Sequence, residues 1–163
     1  METMKTLKFF LMAVVAVAFF ACTPANPGMT FSLTYGDTEI KNGDVIDVTM
    51  DHYEWGELIA HVLLKNNNSA DQTFTVKEVR NYDYATYIPS FCVSVCMMSN
   101  GQAEQTWEVG TIGGGEEQDL AMHLRVEGQE SANCPGVFTV SNGTESLTFT
   151  LNFVYEKEAV PAQ

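Results

Sequence analysis

Four cysteines and three histidines are the residues of this 163-residue chain best suited to redox, nucleophilic or metal chemistry. Cys92 and Cys96 are separated by Val93-Ser94-Val95. That spacing is one residue longer than the Cys-x-x-Cys of thiol oxidoreductases, and no helix start stands beside it to lower a thiol pKa. A structural disulfide involving Cys92 and Cys96 is the expectation. They are the closest pair in sequence, and a link from one of them to Cys134 is the other connectivity; spacing alone does not choose between them. A Cys92–Cys96 bridge would close a very small loop and add little through chain entropy, whereas a bridge to Cys134 would staple distant strands. The odd thiol reads as a small buried hydrophobe.

The histidines do not form a recognisable ligand set. His52, in His52-Tyr53-Glu54-Trp55, and His61 lie nine apart on strand-like sequence. Zinc protease helices place two His at i and i+4, with Glu beside the first. His123 is the third, and convergence of all three in space would be needed to hold a metal. Asp44, Asp47 and Asp51 are close together, but the glycine that a calcium loop needs at a fixed place is missing, so they read as a solvated loop. Gly113-Gly114-Gly115 lacks the Lys-Ser/Thr of a phosphate-binding loop and precedes no helix, which makes it a turn. No Gly-x-Ser-x-Gly elbow occurs, and Glu116-Glu117 reads as an exposed acidic turn rather than a glycosidase pair. No catalytic residue, metal ligand or cofactor is therefore assigned. Asn67-Asn68-Ser69 and Asn142-Gly143-Thr144 match glycosylation acceptors and read as turns. Trp55, Tyr82, Tyr84, Tyr87 and Trp107 are either core aromatics or, if displayed on loops, a contact surface for a protein or a glycan.

The elements that must position these residues are short strands. Phe31–Tyr35, Thr38–Lys41 and Val45–Thr49 alternate or are bounded by turn residues, with Asn42-Gly43 as a hairpin signal. Glu57–Lys65 is a long strand with Leu58, Ala60, Val62 and Leu64 inward. Thr73–Val79 follows, with Phe74, Val76 and Val79 inward. Phe91–Met98 is the most apolar stretch after residue 30, expected as a central strand or core-lining loop. Thr106–Val109 is short. Asp119–Val126 turns Leu120, Met122, Leu124 and Val126 to one face. Cys134-Pro135-Gly136 reads as a turn, and Gly136–Ser141 and Ser146–Tyr155 as the last two strands, with Leu147, Phe149, Leu151 and Phe153 inward. No sustained 3.6-residue period and no internal repeat is present. Eight or nine short strands with regular Asn/Gly turns argue an all-β, antiparallel, immunoglobulin-like β-sandwich.

The start of the chain has a different character. Lys5 and Lys8 precede an apolar run from Phe9 to Ala21, too short to cross a bilayer, which takes about 20 apolar residues. Cys22 follows Ala21, and the turn-rich Thr23-Pro24-Ala25-Asn26-Pro27-Gly28 follows Cys22. Ala18-Phe19-Phe20-Ala21-Cys22 resembles the lipobox of bacterial lipoproteins. The resemblance implies cleavage before Cys22, acylation of that residue and a domain tethered to a membrane, with stable anchoring by more than one fatty chain. The expected organisation is a signal peptide over 1–21, a linker over 22–29, the sandwich over 30–156 and a tail over 157–163. The chain carries 8 Lys+Arg against 21 Asp+Glu, a formal net charge of -13. Without a basic cluster, charge-driven binding to nucleic acid or to an anionic membrane surface is excluded.

Taken together, the Lys65-Asn66-Asn67 loop after a long strand, Phe91-Cys92 through Cys96, Thr111-Ile112-Gly113-Gly114-Gly115-Glu116 and Met122-His123-Leu124 resemble small immunoglobulin-like lipoproteins and secreted modules of Bacteroidota, over most of residues 56–155. Cys134 departs from the usual two-cysteine pattern. The resemblance implies a cell-envelope location, in the outer membrane facing the periplasm or the cell surface, and carries over no catalytic residue. Acidic residues just after the lipidated cysteine often accompany surface display in that group; Thr23 to Gly28 has none, which favours the periplasmic face. The expectation is a lipid-anchored, non-enzymatic binding or structural module with an envelope protein or glycan as partner. A metal-binding or enzymatic protein is the contrasting reading.

Overall fold

The computed structural model describes residues 28–157. The expected signal segment, Cys22, the linker as far as Pro27 and nearly all of the tail lie outside the described residues.

Twelve strands run in chain order: β1 (Phe31–Tyr35), β2 (Thr38–Glu39), β3 (Val45–Val48), β4 (Tyr53–Glu54), β5 (Glu57–Asn66), β6 (Gln72–Arg80), β7 (Ile88–Cys92), β8 (Cys96–Met98), β9 (Glu104–Ile112), β10 (Glu117–Arg125), β11 (Ala132–Ser141) and β12 (Ser146–Tyr155). One sheet has the order β2-β1-β5-β10-β7-β8, with β4 also on β5; the other has the order β3-β12-β11-β6-β9. Every pairing is antiparallel except β3 on β12. The chain passes repeatedly from one sheet to the other, among other places from β5 to β6, β6 to β7, β9 to β10 and β10 to β11, as in an immunoglobulin-like sandwich.

Alternation along the strands places one apolar row of each sheet against the other. Leu58, Ala60, Val62 and Leu64 of β5, and Leu120, Met122 and Leu124 of β10, are buried in the first sheet. Phe74 and Val76 of β6, Phe138 and Val140 of β11, and Leu147, Phe149, Leu151 and Phe153 of β12 face them from the second. Aromatic pairs cross the interior: Phe31 of β1 meets Phe74 edge-on at 5.3 Å, and Phe91 of β7 stacks on Trp107 of β9 at 5.7 Å.

Five local expectations are corrected. Asn42-Gly43 does not close a hairpin: β2 pairs with β1 in the first sheet, whereas the chain after the turn crosses to the second sheet, where β3 pairs in parallel with β12. Cys134-Pro135-Gly136 is not a turn but part of β11, which pairs with β12 along its whole length. Proline is tolerated there because β6 pairs with β11 only from Gly136 onward. The Pro135 carbonyl accepts the Asn81 N–H at 3.1 Å, and the N–H that proline lacks would point the same way, past the end of that ladder. Phe91–Met98 is not one strand: the chain reverses at Val93–Val95, and β8 pairs back on β7. β9 is longer than Thr106–Val109, and a bulge opposite Phe74/Thr75 with Gly110 at φ 96° lets it continue. Val79 does not face the core; Glu78 and Arg80 do.

Candidate functional site

The inward row of β6 continues its period of two past Phe74 and Val76 into two charged residues. Glu78 and Arg80 are 3% and 4% exposed. They pair at 3.1 Å, and the surroundings satisfy both Glu78 oxygens and both terminal nitrogens of Arg80, while the Arg80 Nε is buried without a partner. Trp107 Nε1 donates to Glu78 at 3.2 Å and the Tyr82 hydroxyl donates to its other oxygen at 3.3 Å. The Arg80 guanidinium donates to the Gln102 carbonyl and, at 3.0 Å, to Gln105 Oε1. It also lies 5.8 Å from the Tyr84 ring centroid and 5.9 Å from that of Trp107. Burial, then the Glu78 charge, holds the Tyr82 hydroxyl far above its usual pKa. Trp107, Tyr82 and Tyr84 are thus occupied by packing around this pair. Sequence reasoning missed it because an apolar Val79 between two charges suggests the opposite face; the alternation counted from Phe74 was the available signal.

Cys92 and Cys96 form a disulfide across the β7–β8 hairpin, where they face each other in register. Cys134 is free and buried. Burial, then the Asp83 charge, pushes its thiol up to about 11.

On the outer face of the same sheet, His61 of β5 pairs with Asp119 of β10 at 2.7 Å, and His123 of β10 pairs with Glu57 of β5 at 2.8 Å. His52 lies elsewhere, against the Tyr35 ring at 5.6 Å. The three histidines therefore serve different partners. His123 instead neighbours the disulfide: β10 lies beside β7, Ser90 faces His123 and Cys92 faces Ala121. One ligand atom each from Cys92, Cys96 and His123 lies within 4.8 Å of the others, and among the described residues no other group of three such side chains comes together this closely. Asp44 accepts the Lys41 N–H at 2.7 Å, and Asp47 accepts from Asn152 at 2.8 Å. These two carboxylates brace the β3 edge and do not converge with Asp51 on a common point.

The two ends of the sandwich differ. At the end where the described chain begins, Thr30 is held from several sides. Its N–H and hydroxyl donate to Glu145 at 2.9 and 2.7 Å, and Gln72 and Asn142 side chains donate to its hydroxyl oxygen. The Thr30 hydroxyl bond, with the backbone bond beside it, lowers the Glu145 pKa. These residues, with Asn68, Asp71, Thr73 and Thr144, line an open polar pocket of about 410 Å³. The Asn142 side chain caps its own turn by accepting the Thr144 and Glu145 N–H groups. Nearby, buried Asn66 donates to the carbonyls of Ala70, Ile112 and Gly113 and ties the 66–71 loop to the glycine turn.

At the other end, β4 and β5 join through Trp55-Gly56. Glu54 faces Glu57, so the connection is a two-residue hairpin. Trp55 is 91% exposed and holds φ 52°, the left-handed region that a bulky side chain rarely adopts. Of the aromatic set expected to be either core or contact surface, Trp55 is displayed, Trp107 is core, and Tyr82, Tyr84 and Tyr87 are half-buried. The Tyr87 hydroxyl donates to the Glu130 carbonyl at 2.9 Å.

No protein-family model and no curated protein matches the chain. Among solved structures, the N-terminal domain of PorA is similar with a TM-score of 0.51 and 21% identity, covering 77% of this chain and 96% of that one. A family 123 glycoside hydrolase from Clostridium perfringens follows at TM-score 0.44 and 10% identity, over 76% of this chain and 26% of that one. A FixG-related protein from Vibrio parahaemolyticus follows at 0.42 and 14%, over 79% and 98%. The first likeness speaks for the fold, and the other two fall too low to carry an argument. By fold, the described chain is an all-β, two-sheet sandwich of the kind seen in the PorA N-terminal domain.

Proposed function

We propose that this chain is a lipid-anchored cell-envelope protein whose sandwich is a non-enzymatic binding or structural module, joined to the membrane through Cys22 and presenting its far end to a partner. The observation that carries the reading is the position of Trp55. The chain enters the sandwich at Thr30, beside the Phe31–Asn66 rung, while Trp55 precedes the opposite end of β5. A ten-residue strand separates them, which is roughly 30 Å at about 3.3 Å per residue. A tether at the Thr30 end would hold the tryptophan away from the bilayer. An exposed aromatic in a conformation that costs of order 1 kcal/mol is kept more readily for contact than for folding. The Glu145 clamp on Thr30 supports the same reading, since a tether transmits its load into the domain there.

A glycan partner is the second reading, favoured by the single observation that the Trp55 indole is free to stack on a sugar ring. Intact mass of membrane-extracted protein tests the anchor: residues 22–163 plus acyl groups are expected, and an unacylated mass overturns it. A photo-crosslinker in place of Trp55 tests the contact. An envelope protein captured at that position supports the first reading. Retention on glycans that is lost in Trp55→Ala supports the second, and the absence of both results overturns a contact role for Trp55.

A further inference from the structure

We propose that Cys92, Cys96 and His123 form a binding site for a soft d10 cation, Zn(II) or Cu(I), in the dithiol state, so that disulfide and metal are alternative occupants of one place on the outer face of the first sheet. The ligand types fit: thiolates with imidazole select these ions. The placement fits as well. Cys92 and Cys96 are cross-strand partners in the β7–β8 hairpin, and His123 stands on the adjoining strand one diagonal step from Cys92. The three ligand atoms lie within 4.8 Å of one another. Metal bonds of about 2.3 Å to sulfur and 2.0–2.1 Å to nitrogen put ligand atoms roughly 3.5–3.9 Å apart. Once the bridge is broken, the cysteine side chains can change rotamer, which lets the two sulfurs move apart to that separation and approach His123.

A further feature speaks for a ligand role. Glu57 holds His123 Nδ1 at 2.8 Å, with the His123 side chain 16% and the Glu57 side chain 30% exposed. A carboxylate on one ring nitrogen fixes the ring and makes the other nitrogen a better donor, the arrangement found behind metal-bound histidines. Nε2 is then left for the cation. With three protein ligands, Cu(I) is complete in trigonal coordination, and Zn(II) takes one water as its fourth.

Opening the site requires a reductant. A dithiol gives two electrons and two protons to the Cys92–Cys96 bond; that bond breaks, two thiols form, and the reductant closes its own disulfide. Cys96 is exposed and accessible to such attack. The cation then displaces the two thiol protons to solvent. Reduction leaves the fold standing, because the bridge closes a very short loop and constrains the unfolded chain little.

The test uses the full chain carrying Cys22→Ser, reduced with a dithiol that is removed without air, then titrated with Zn(II) and separately with Cu(I) against a chromophoric chelator. The expected result is one ion per chain in the reduced protein with at least one of the two cations, about 100-fold weaker binding after reoxidation, and a tenfold or greater loss in His123→Ala. Glu57→Gln should weaken binding about tenfold, within the range for such supporting residues. Circular dichroism of each variant reports that the sandwich is intact. The proposal is overturned if His123→Ala binds as tightly as the parent, if the oxidised protein binds equally well, or if reduction unfolds the domain. None of these readouts depends on the lipid anchor.

Discussion

Glu78 and Arg80, two residues apart on β6, form an ion pair at 3.1 Å with side chains 3% and 0% exposed. Removing one partner from such a pair leaves a buried charge uncompensated, at a cost of about 3–5 kcal/mol. Arg80→Met is therefore expected to lower the urea midpoint sharply. Glu78→Leu combined with Arg80→Met should recover part of that loss, because neither charge then stays buried alone. A double-mutant cycle checks this; additive losses would show that the pair does not act as a unit.

Cys134 is expected to resist alkylation in the native protein at neutral pH. Its thiol is buried and its pKa stands near 11, so the reactive thiolate is scarce. Iodoacetamide labelling without reductant should give no adduct at Cys134 until denaturant is added. Rapid native labelling would show that the β11 start opens locally.

Trp55→Asn is expected to raise stability by about 0.5–1 kcal/mol, because Asn-Gly is a favoured hairpin pair and Trp55 holds φ 52° before Gly56 at φ 88°. Thermal unfolding measures the change. A loss of stability on this substitution would mean that the indole contributes to packing after all.

The Glu145 clamp gives the domain an acid-side dependence. The folded-state pKa of this carboxylate is lowered, so its contribution is complete above the ordinary value of 4.5 and is lost as pH falls below it through the folded value. Glu145→Gln should lower stability at pH 7 by about 0.5–1 kcal/mol, below the range for a buried charged hydrogen bond because solvent reaches the site and screens it. The difference between wild type and variant should shrink as pH falls below 4.5. A gap that stays constant with pH would assign the effect to shape rather than charge.

Gly114→Ala is expected to destabilise by about 1–3 kcal/mol, since a Cβ there would lie 2.3 Å from the Ser69 carbonyl oxygen. Hydrogen exchange should quicken first in the 66–71 loop and the glycine turn, which Asn66 holds together. Uniform loss of protection would show that this end unfolds with the whole domain.

Much of the sandwich was legible because strand burial has a period of two. The inward rows of β5, β10 and β12 follow directly from Leu58 to Leu64, Leu120 to Leu124 and Leu147 to Phe153, and all are buried. The period of two also holds at Val79: its hydrophobicity points inward, but the alternation set by Phe74 and Val76 turns it outward and Glu78 and Arg80 inward. Pro135 and Gly136 read as a turn because sequence does not reveal that the neighbouring ladder ends at Arg80.

The sequence by itself determined the strand-rich class, the acidic balance and the joining of the last two strands through Asn142–Glu145, since these depend on local alternation, charge and turn chemistry. Only the tertiary structure decided which distant residues meet. It brought His123 to the Cys92–Cys96 bridge, Glu145 to Thr30, and Trp107 to Glu78, and it left Trp55 in solvent. Those contacts join residues on different strands, and the order of strands in a sheet is set by how two apolar faces close on each other, which no local stretch encodes.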